Sequence, residues 1–253
     1  MKQPHILCEP SEIARYALLP GDPERVLRVA EFLDDWKEIA YNREFRTITG
    51  TYQGVAVTVT STGIGGASAC IAIEELSACG ADTLIRIGSA GASQPEVEIG
   101  DLIISTGAVR EEGASRMYVE HNYPAVPHFS VLRALVEEAE AKGLRHFVGL
   151  TRSHDSFYID DESERMAKAH KNKLLGSDME TSALFVIASL RGLRAGSILN
   201  NVVKYESDVK EGINDYVDEA DRAAQGEKQE ILIALGAIKR LAERDLLQGG
   251  IND

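Results

Sequence analysis

Strand-like and helix-like segments alternate along almost the whole chain, and this alternation restricts the fold more than any other feature. Apolar runs predict strands at 16–20, 82–88, 101–109, 146–151 and 194–203. Helical spacing of apolar residues predicts helices at 22–33, 67–80, 129–143, 179–192 and 219–244. Such alternation indicates an α/β fold with a central mixed, twisted β-sheet flanked by helices.

The segments between these runs predict a single domain. Residues 43–62 have the pattern of a β-hairpin with Gln53 and Gly54 at its turn. The ranges 110–128 and 152–176 are the most irregular, and about 245–253 is expected to be a frayed tail. No linker, repeat or low-complexity stretch divides residues 1–253.

Charge and composition exclude several classes of partner. The net charge is −13, so the chain as a whole repels nucleic acid polymers and anionic membranes. An anionic small molecule can bind only where arginines cluster. Three cysteines, no charged-then-apolar leader and no apolar run of about 18 residues predict a cytoplasmic protein with reduced thiols.

The sequence "LLPGDPERV" (18–26) places Arg25 in the first turn of a predicted helix. Asp22 is the expected N-cap and Pro23 the first helical residue. A helix start favours anions, so a cation there needs an explanation. Arg25 either pairs with Glu24 or Asp22, or holds a phosphate together with the backbone at Gly21.

Arg86 lies in "TLIRIGSAG" (83–91), a run that is apolar on both faces and predicts a buried strand. A buried guanidinium needs a carboxylate or a bound anion. Ligands of α/β sheets bind at the carboxyl ends of strands, where "GSAG" follows. The alternatives are an anion site and a structural ion pair with a core acid.

Weaker signals lie elsewhere in the chain. "STGIGGAS" (61–68) matches a dinucleotide-binding motif only loosely, and helix packing explains it better. Acids in "SDMETSALF" (177–185) either satisfy a helix start or grip the two hydroxyls of a ribose. Phe157 and Tyr158 are either core residues or stack on a heterocycle, with Arg165 as a donor to its carbonyl oxygens. His5 alone is an ordinary surface histidine.

Taken together, "LLPGDPERV", "NREFRTITGTYQGVAVTVTSTGIGGASACIAIEEL", "LIRIGSAGA", "DLIISTGAVREEGAS", "FYIDDESERM" and "DMETSALF" resemble the uridine phosphorylase branch of the nucleoside phosphorylase family. The resemblance implies reversible, phosphate-dependent cleavage of a nucleoside to free base and ribose 1-phosphate. It also implies a partly barrel-like sheet and a homo-oligomer, either a dimer or a hexamer built from dimers. Sites would be shared between subunits, and no cofactor beyond the co-substrate phosphate would be required.

The resemblance also assigns residues. Its catalytic residues are Arg86, Arg25 and Glu180. Its phosphate contacts are Gly21, Arg25, Arg43, Arg86 and Ser89, with Arg43 lent across the dimer. Its ribose contacts are His5, Met179 and Glu180, with His5 lent by the neighbour. Its base contacts are Phe157, Tyr158 and Arg165. A monovalent cation, potassium, would bind Glu44, Ile64 and Ser68 at the dimer interface.

The base preference departs from the uridine pattern. Ser163 stands where uridine enzymes typically carry a glutamine, and the segment 166–178 is shorter than in those enzymes and closer in length to that of the hexameric purine enzymes. The purine-type aspartate is not aligned either, since Lys204 and Tyr205 stand near its place. Three hypotheses therefore remain: a uridine phosphorylase, a phosphorylase of purine or modified nucleosides, and a non-catalytic nucleoside- or phosphate-binding protein.

Overall fold

A computed structural model describes residues 1–205 and 216–249. The strands are β1 Tyr16–Pro20, β2 Asp35–Asn42, β3 Phe45–Tyr52, β4 Val55–Thr60, β5 Thr83–Ala92, β6 Leu102–Glu111, β7 His146–His154, β8 Gly176–Asp178 and β9 Arg194–Val203. The α-helices are α1 Pro23–Ala30, α2 Gly66–Ala78, α3 Phe129–Ala141, α4 Glu162–Lys171, α5 Thr181–Leu190 and α6 Tyr216–Gly249. The predicted α/β fold is confirmed.

The strands form one mixed sheet in the order β2-β3-β4-β1-β5-β8-β7-β6-β9. Strand β9 also pairs with β5, so β5, β8, β7, β6 and β9 close on themselves as a partial barrel. Strands β1 and β5 are parallel, with Leu19 opposite Arg86. Their carboxyl ends therefore meet at one edge of the sheet, which is where such sheets bind ligands.

Helices cover both faces of the sheet with small aliphatic side chains. Helices α3 and α6 bury residues such as Leu135 and Ile238 against one face. Helices α2 and α5 bury residues such as Ile73 and Phe185 against the other. Each of these side chains removes its apolar surface from water, worth about 1.5–3 kcal/mol relative to exposure. This packing fixes the strand ends that carry the site.

Two elements depart from the sequence prediction. Strand β2 was not predicted, because its residues are mostly exposed and it pairs only with β3 at the edge of the sheet. Helix α4 lies in the range 152–176 that was expected to be irregular, and only Ala169 of this helix is buried. Neither element carries the apolar periodicity on which the prediction relied.

Local turn signals behave as the sequence predicts. Gln53 and Gly54 form the β3–β4 turn with φ values of 48° and 82°, and Gly80 ends α2 with φ 99°. The expected frayed tail, about 245–253, begins inside α6, where Asp245 pairs with Arg194. Residues 250–253 lie outside the described range. Among the described helices, none has the length and apolarity needed to cross a membrane.

Candidate active site

Arg25 and Ser89 meet where the carboxyl ends of β1 and β5 lie side by side. Helix α1 starts as predicted, with the Asp22 side chain accepting from the backbone N–H of Glu24. Arg25 is 8% exposed, and its Nη2 donates to Ser89 Oγ at 3.1 Å. The structure thus brings the predicted phosphate contacts Arg25 and Ser89 together, and Gly21 precedes the N-cap of the helix that carries Arg25.

The partner of Arg25 is an acid that the sequence did not suggest. Its Nε donates to Glu227 Oε2 at 2.8 Å, and Arg28 bonds the same carboxylate. Neither Glu24 nor Asp22 pairs with Arg25 among the described contacts. Glu227 lies on α6, about 200 residues later in the chain, and no local pattern links it to α1.

Arg86 is buried between two carboxylates. Its Nε donates to Asp178 Oδ2 at 2.8 Å, and its Nη2 lies 2.5 Å from Glu180 Oε2. Burial opposes the charge, but Glu180 and Asp178 outweigh it and raise the pKa of Arg86. Ion pairs with core acids therefore account for two of the three guanidinium nitrogens of Arg86, Nε and Nη2. The third, Nη1, is buried without a hydrogen-bond partner among the described residues, and it is available to an anion.

Gly88 allows the Arg86 guanidinium to lie directly against the strand. A Cβ at position 88 would stand 2.5 Å from Arg86 Nη2 and 2.7 Å from its Cζ, closer than real Cβ atoms come. The guanidinium is fixed by Asp178 and Glu180, so it has little freedom to move away. The glycine is therefore a steric requirement of the site.

Glu180 and Met179 lie beside Arg86, where the resemblance implies ribose. Glu180 is 5% exposed, and its Oε1 accepts from the N–H of Gly65 at 2.5 Å. Burial raises the pKa of Glu180, and Arg86 opposes this shift. Met179 is partly buried beside it. A carboxylate of this kind can accept hydrogen bonds from two adjacent hydroxyls.

Glu230 is a further acid that the sequence did not suggest. It is fully buried on α6, and its Oε1 accepts from the N–H of Gly88 at 2.5 Å. Its Oε2 has no hydrogen-bond partner among the described residues and lies 4.0 Å from Arg25 Nη1. Burial raises the pKa of Glu230 to about 8, and Arg25 opposes this shift. Its position at the start of the apolar stretch "EILIALGAI" was the only sequence signal.

The raised pKa of Glu230 predicts a specific pH dependence of stability. The folded protein keeps this proton up to about pH 8, whereas the unfolded chain releases it near the ordinary value of 4.5. The stability that the proton provides is complete below pH 4.5 and is lost as the pH rises towards 8. The Glu230→Gln variant keeps an acceptor for Gly88 but has no proton to lose. We expect its advantage in free energy of unfolding over wild type to grow from pH 5 to pH 8.

Urea unfolding of both proteins at four pH values measures this difference directly. Glu164→Gln, at an exposed position on α4, is the matched control and should follow wild type. A difference between the Glu230→Gln variant and wild type that stays constant over this range would contradict the prediction.

His5 and Arg43 lie together on the surface, apart from the contacts of Arg25 and Arg86. Glu75 accepts from the backbone N–H of His5 at 3.0 Å and lies 2.6 Å from His5 Nδ1, which directs Nε2 away from Glu75. Asn42 donates to the carbonyl of His5, and Arg43 follows it in the β2–β3 turn with φ 55°. Arg43 is exposed and makes no ion pair among the described residues.

Glu44 and Ser68 also come together, as the predicted cation site requires. Ser68 Oγ lies 2.7 Å from Glu44 Oε1 and 2.6 Å from the carbonyl oxygen of Thr62. Ile64 is 80% exposed. Oxygen ligands of this kind suit a hard cation. No cluster of three or more His, Cys, Asp or Glu side chains that would hold a metal occurs among the described residues, and the potassium site stays a prediction.

The predicted base contacts lie on the surface. Phe157 is 43% and Tyr158 75% exposed, and their rings meet edge-on at 5.2 Å. The Arg165 side chain is 43% exposed, and its Nε donates to Asp161 at 3.0 Å. The structure therefore does not place Arg165 in a buried base pocket. The buried guanidinium of this region belongs to Arg152, which the sequence analysis did not single out.

Comparison with known proteins decides the family. The model of the phosphorylase superfamily matches residues 15–235. The chain belongs to the phosphorylase superfamily. The match covers β1 to β9 and most of α6, so it includes all the strands that carry the site. The resemblance noted in the sequence is thereby confirmed.

Several relatives align with this chain over nearly the whole length of both sequences. A uridine phosphorylase from Thermococcus kodakarensis is 45% identical, covering 96% of this chain and 88% of its own. A guanosine phosphorylase from Halorubrum lacusprofundi is 38% identical, covering 95% and 99%. The crystal structure of uridine phosphorylase from Vibrio fischeri aligns with TM-score 0.90 and 43% identity, covering 94% and 97%.

Proposed function

We propose that this protein is a uridine phosphorylase, which cleaves uridine with inorganic phosphate to uracil and ribose 1-phosphate, reversibly. The observation that carries the proposal is the buried, unpartnered Nη1 of Arg86, whose guanidinium binds Glu180 and whose strand also carries Ser89, the hydroxyl that accepts from Arg25. Cationic donors for an oxyanion lie beside an acceptor for a sugar. Relatives named uridine phosphorylase, 35–45% identical, support the choice of uridine.

In this reaction a phosphate oxygen attacks C1′ of the ribose while the bond from C1′ to the base nitrogen breaks. The bond electrons leave with the base, which takes up the proton that hydrogen phosphate gives up. Arg86, Arg25 and Ser89 hold the phosphate against C1′, and its negative charge stabilises the positive charge that develops on the sugar. Positioning and electrostatics of this kind supply most of the catalysis.

Glu180 has the second role in this mechanism. Its carboxylate accepts from the ribose hydroxyls and fixes the sugar relative to the phosphate. Because Glu180 also binds Arg86, movement of one group changes the position of the other. The assignments of Gly21 to phosphate, of Met179 to ribose and of Phe157, Tyr158 and Arg165 to the base belong to the same proposal, as do those of His5 and Arg43 from a neighbouring subunit. Residues lent by a neighbouring subunit imply a homo-oligomer, either a dimer or a hexamer. The proposed reaction serves pyrimidine salvage in the cytoplasm.

A second candidate is a phosphorylase of purine nucleosides. The guanosine phosphorylase relative, 38% identical over 95% of this chain, favours it. Incubating the protein with uridine, cytidine, inosine, guanosine and adenosine, with and without phosphate, separates the candidates. We expect uracil release that requires phosphate. Release of purines alone would favour the second candidate, and ligand protection without turnover would favour a binding protein.

Arg25 provides a test of the phosphate subsite. The Arg25→Gln variant loses a charge-assisted hydrogen bond to phosphate, worth about 1.5–3 kcal/mol, so we expect KM for phosphate to rise about 10- to 100-fold. KM for uridine should change much less. Initial rates over a phosphate series measure both constants. Arg133→Gln, at an exposed arginine of α3, is the control, and an unchanged phosphate KM for Arg25→Gln would refute the assignment.

A further inference from the structure

Glu230 carries an unused oxygen beside the proposed phosphate subsite. The residue lies on α6 and is fully buried, and its Oε1 accepts from the N–H of Gly88 at 2.5 Å. Its Oε2 is also buried and has no hydrogen-bond partner among the described residues. Buried polar atoms are nearly always paired. The second oxygen of this carboxyl group therefore has a role that Gly88 does not explain.

The nearest cationic donor to this oxygen belongs to Arg25. Its Nη1 lies 4.0 Å from Glu230 Oε2. The other two nitrogens of Arg25 are engaged, because Nε donates to Glu227 at 2.8 Å and Nη2 donates to Ser89 at 3.1 Å. Nη1 makes no hydrogen bond to any residue that the structure describes. Arg25 thus has one free donor, and Glu230 lies just outside bonding distance of it.

The charge of Glu230 decides which group receives this donor. A carboxylate and a guanidinium bond at about 2.7–2.9 Å, so a movement of about 1 Å would bring Nη1 onto an ionised Oε2. A protonated carboxyl group is a much weaker acceptor and leaves Nη1 free. A phosphate oxygen bonded to Nη1 would lie within about 7 Å of Oε2, since its hydrogen bond adds about 3 Å to the 4.0 Å gap. At this distance a bound dianion opposes ionisation of Glu230.

The charged groups around Glu230 come from three elements. Burial raises the pKa of Glu230 to about 8, and Arg25 from α1 and Arg86 from β5 oppose this shift. Glu227, one turn earlier on α6, adds to it. A carboxyl group with this pKa changes its charge between about pH 7 and pH 9. Both protonation states are therefore accessible to the folded protein.

The other elements packed against α6 leave this balance unchanged. Helix α3 presents Glu138, which pairs with Arg240, ten residues beyond Glu230 and about 15 Å further along the helix. Strands β4 and β9 contribute apolar side chains to the core beside α6, such as Val59 and Ile198. The protonation of Glu230 is thus set by the groups of the proposed phosphate subsite.

We propose that Glu230 is a positioning residue that couples phosphate binding to the uptake of a proton. With a proton on Oε2, Glu230 holds the N–H of Gly88 and leaves Arg25 Nη1 to phosphate. Without this proton, the carboxylate draws Nη1 towards itself and repels the anion. Phosphate that binds to the ionised form therefore brings one proton from the solvent onto Oε2. The inference rests on the proposed function and deepens it by adding a proton to the phosphate-binding step.

Calorimetry of phosphate binding at pH 9, in two buffers of different ionisation enthalpy, counts the protons taken up. Glu230 with a pKa of about 8 is ionised in about 90% of the free protein at this pH, and free phosphate is already the dianion. We expect wild type to take up about 0.5–0.9 proton per phosphate and the Glu230→Gln variant to take up almost none. Wild type that takes up no proton would overturn the inference without reference to any variant.

The pH dependence of phosphate affinity is the second test. From pH 7.5 to pH 9.5 we expect Kd for phosphate to rise about 10- to 30-fold in wild type, because affinity falls with each fraction of Glu230 that ionises. Glu230→Gln keeps an acceptor for Gly88 and should change less than about threefold. Glu243→Gln, at an exposed acid of the same helix, is the matched control and should follow wild type. A Glu230→Gln protein that keeps the wild-type pH dependence would overturn the inference.

The Arg25→Gln variant tests the route through the guanidinium. It has no Nη1 for the carboxylate to draw away, so we expect the remaining phosphate affinity to change less than about threefold over the same pH range. A pH dependence of full wild-type size in Arg25→Gln would contradict a role of Glu230 through Arg25.

Phosphate binding requires no nucleoside, so these measurements separate the inference from the proposed function. Proton-linked phosphate binding in a protein that cleaves no nucleoside would refute the proposed function and keep the inference. Phosphate-dependent release of uracil with a phosphate affinity that does not vary from pH 7.5 to pH 9.5 would do the reverse. Absence of phosphate binding at every pH would overturn both.

Discussion

Replacing Arg86 with methionine is expected to lower kcat/KM for uridine phosphorolysis by at least about 1,000-fold. Arg86 is the most deeply buried cation of the proposed phosphate subsite, and it is also the link to Glu180. Its removal takes away the free Nη1 donor and releases the acid that is to hold the ribose. Loss of a single preorganised donor costs about 100- to 1,000-fold in other enzymes, and here two functions are lost together.

The Arg86→Met protein also carries two buried carboxylates, Asp178 and Glu180, without their cation. Breaking a buried pair costs about 3–5 kcal/mol, so stability must be measured beside activity. Arg86→Lys keeps the charge but not the forked geometry, and we expect it to lose most of the activity while remaining folded. Arg133→Met, at an exposed arginine of α3, is the control. A folded Arg86→Lys protein with wild-type kcat/KM and phosphate KM would refute the site.

Replacing Gly88 with alanine is expected to lower kcat/KM by about 100-fold without changing any group that touches substrate. The added Cβ would occupy space 2.5 Å from Arg86 Nη2, and Glu180 and Asp178 hold that guanidinium in place. Either the strand or the arginine must shift. Displacement of a positioned group by about 1 Å costs on the order of 100-fold in rate.

A double-mutant cycle shows whether the alanine acts through the arginine. Calorimetry gives the phosphate affinity of wild type, Gly88→Ala, Arg86→Lys and the double variant. If Gly88→Ala works by moving the guanidinium, its effect should shrink when the bulky fork of Arg86 is already replaced by lysine. Fully additive losses of affinity would mean that Gly88 is needed for the geometry of strand β5 and not for the position of the Arg86 guanidinium.

The proposed phosphate subsite could be selected from the sequence because two of its residues do not fit their local sequence environment. A cation in the first turn of a helix and a cation in a doubly apolar strand both break simple rules, so Arg25 and Arg86 could be selected from the sequence. The acids beside Arg25, Glu227 and Glu230, could not be predicted, because these contacts join helix α1 to helix α6. No local spacing encodes a pairing over that distance.

The base contacts Phe157, Tyr158 and Arg165 stay predictions, and the structure adds a buried arginine nearby that the sequence did not suggest. Aromatic residues in an acidic loop suggested Phe157 and Arg165; Phe157 is 43% exposed, and so is the Arg165 side chain. Arg152 carries the buried guanidinium, yet in "VGLTRSHD" it stands among small and polar residues that conceal its burial. Its burial arises from the pairing of β7 with β6 and β8 and from Glu162 on α4.

The alternation of strand-like and helix-like segments predicted the fold. It did not predict the elements that lie at the edge of the sheet or on the surface. Strand β9 begins and ends as predicted at 194–203. Strand β2 and helix α4 were missed because an edge strand and a surface helix bury too little to leave a periodic trace. Closure of the barrel through β5 and β9 is a tertiary event that single-strand patterns do not contain.

Helix α6 supplies Glu227 and Glu230 to a site whose other groups all come from earlier in the chain. During translation the arginines of α1 and β5 emerge long before these acids do. A nascent or truncated chain that ends short of this helix thus keeps Arg25 without its partner and the N–H of Gly88 without an acceptor. The contacts that hold the Arg25 side chain and the N–H of Gly88 are therefore completed only when helix α6 has been synthesised and docks.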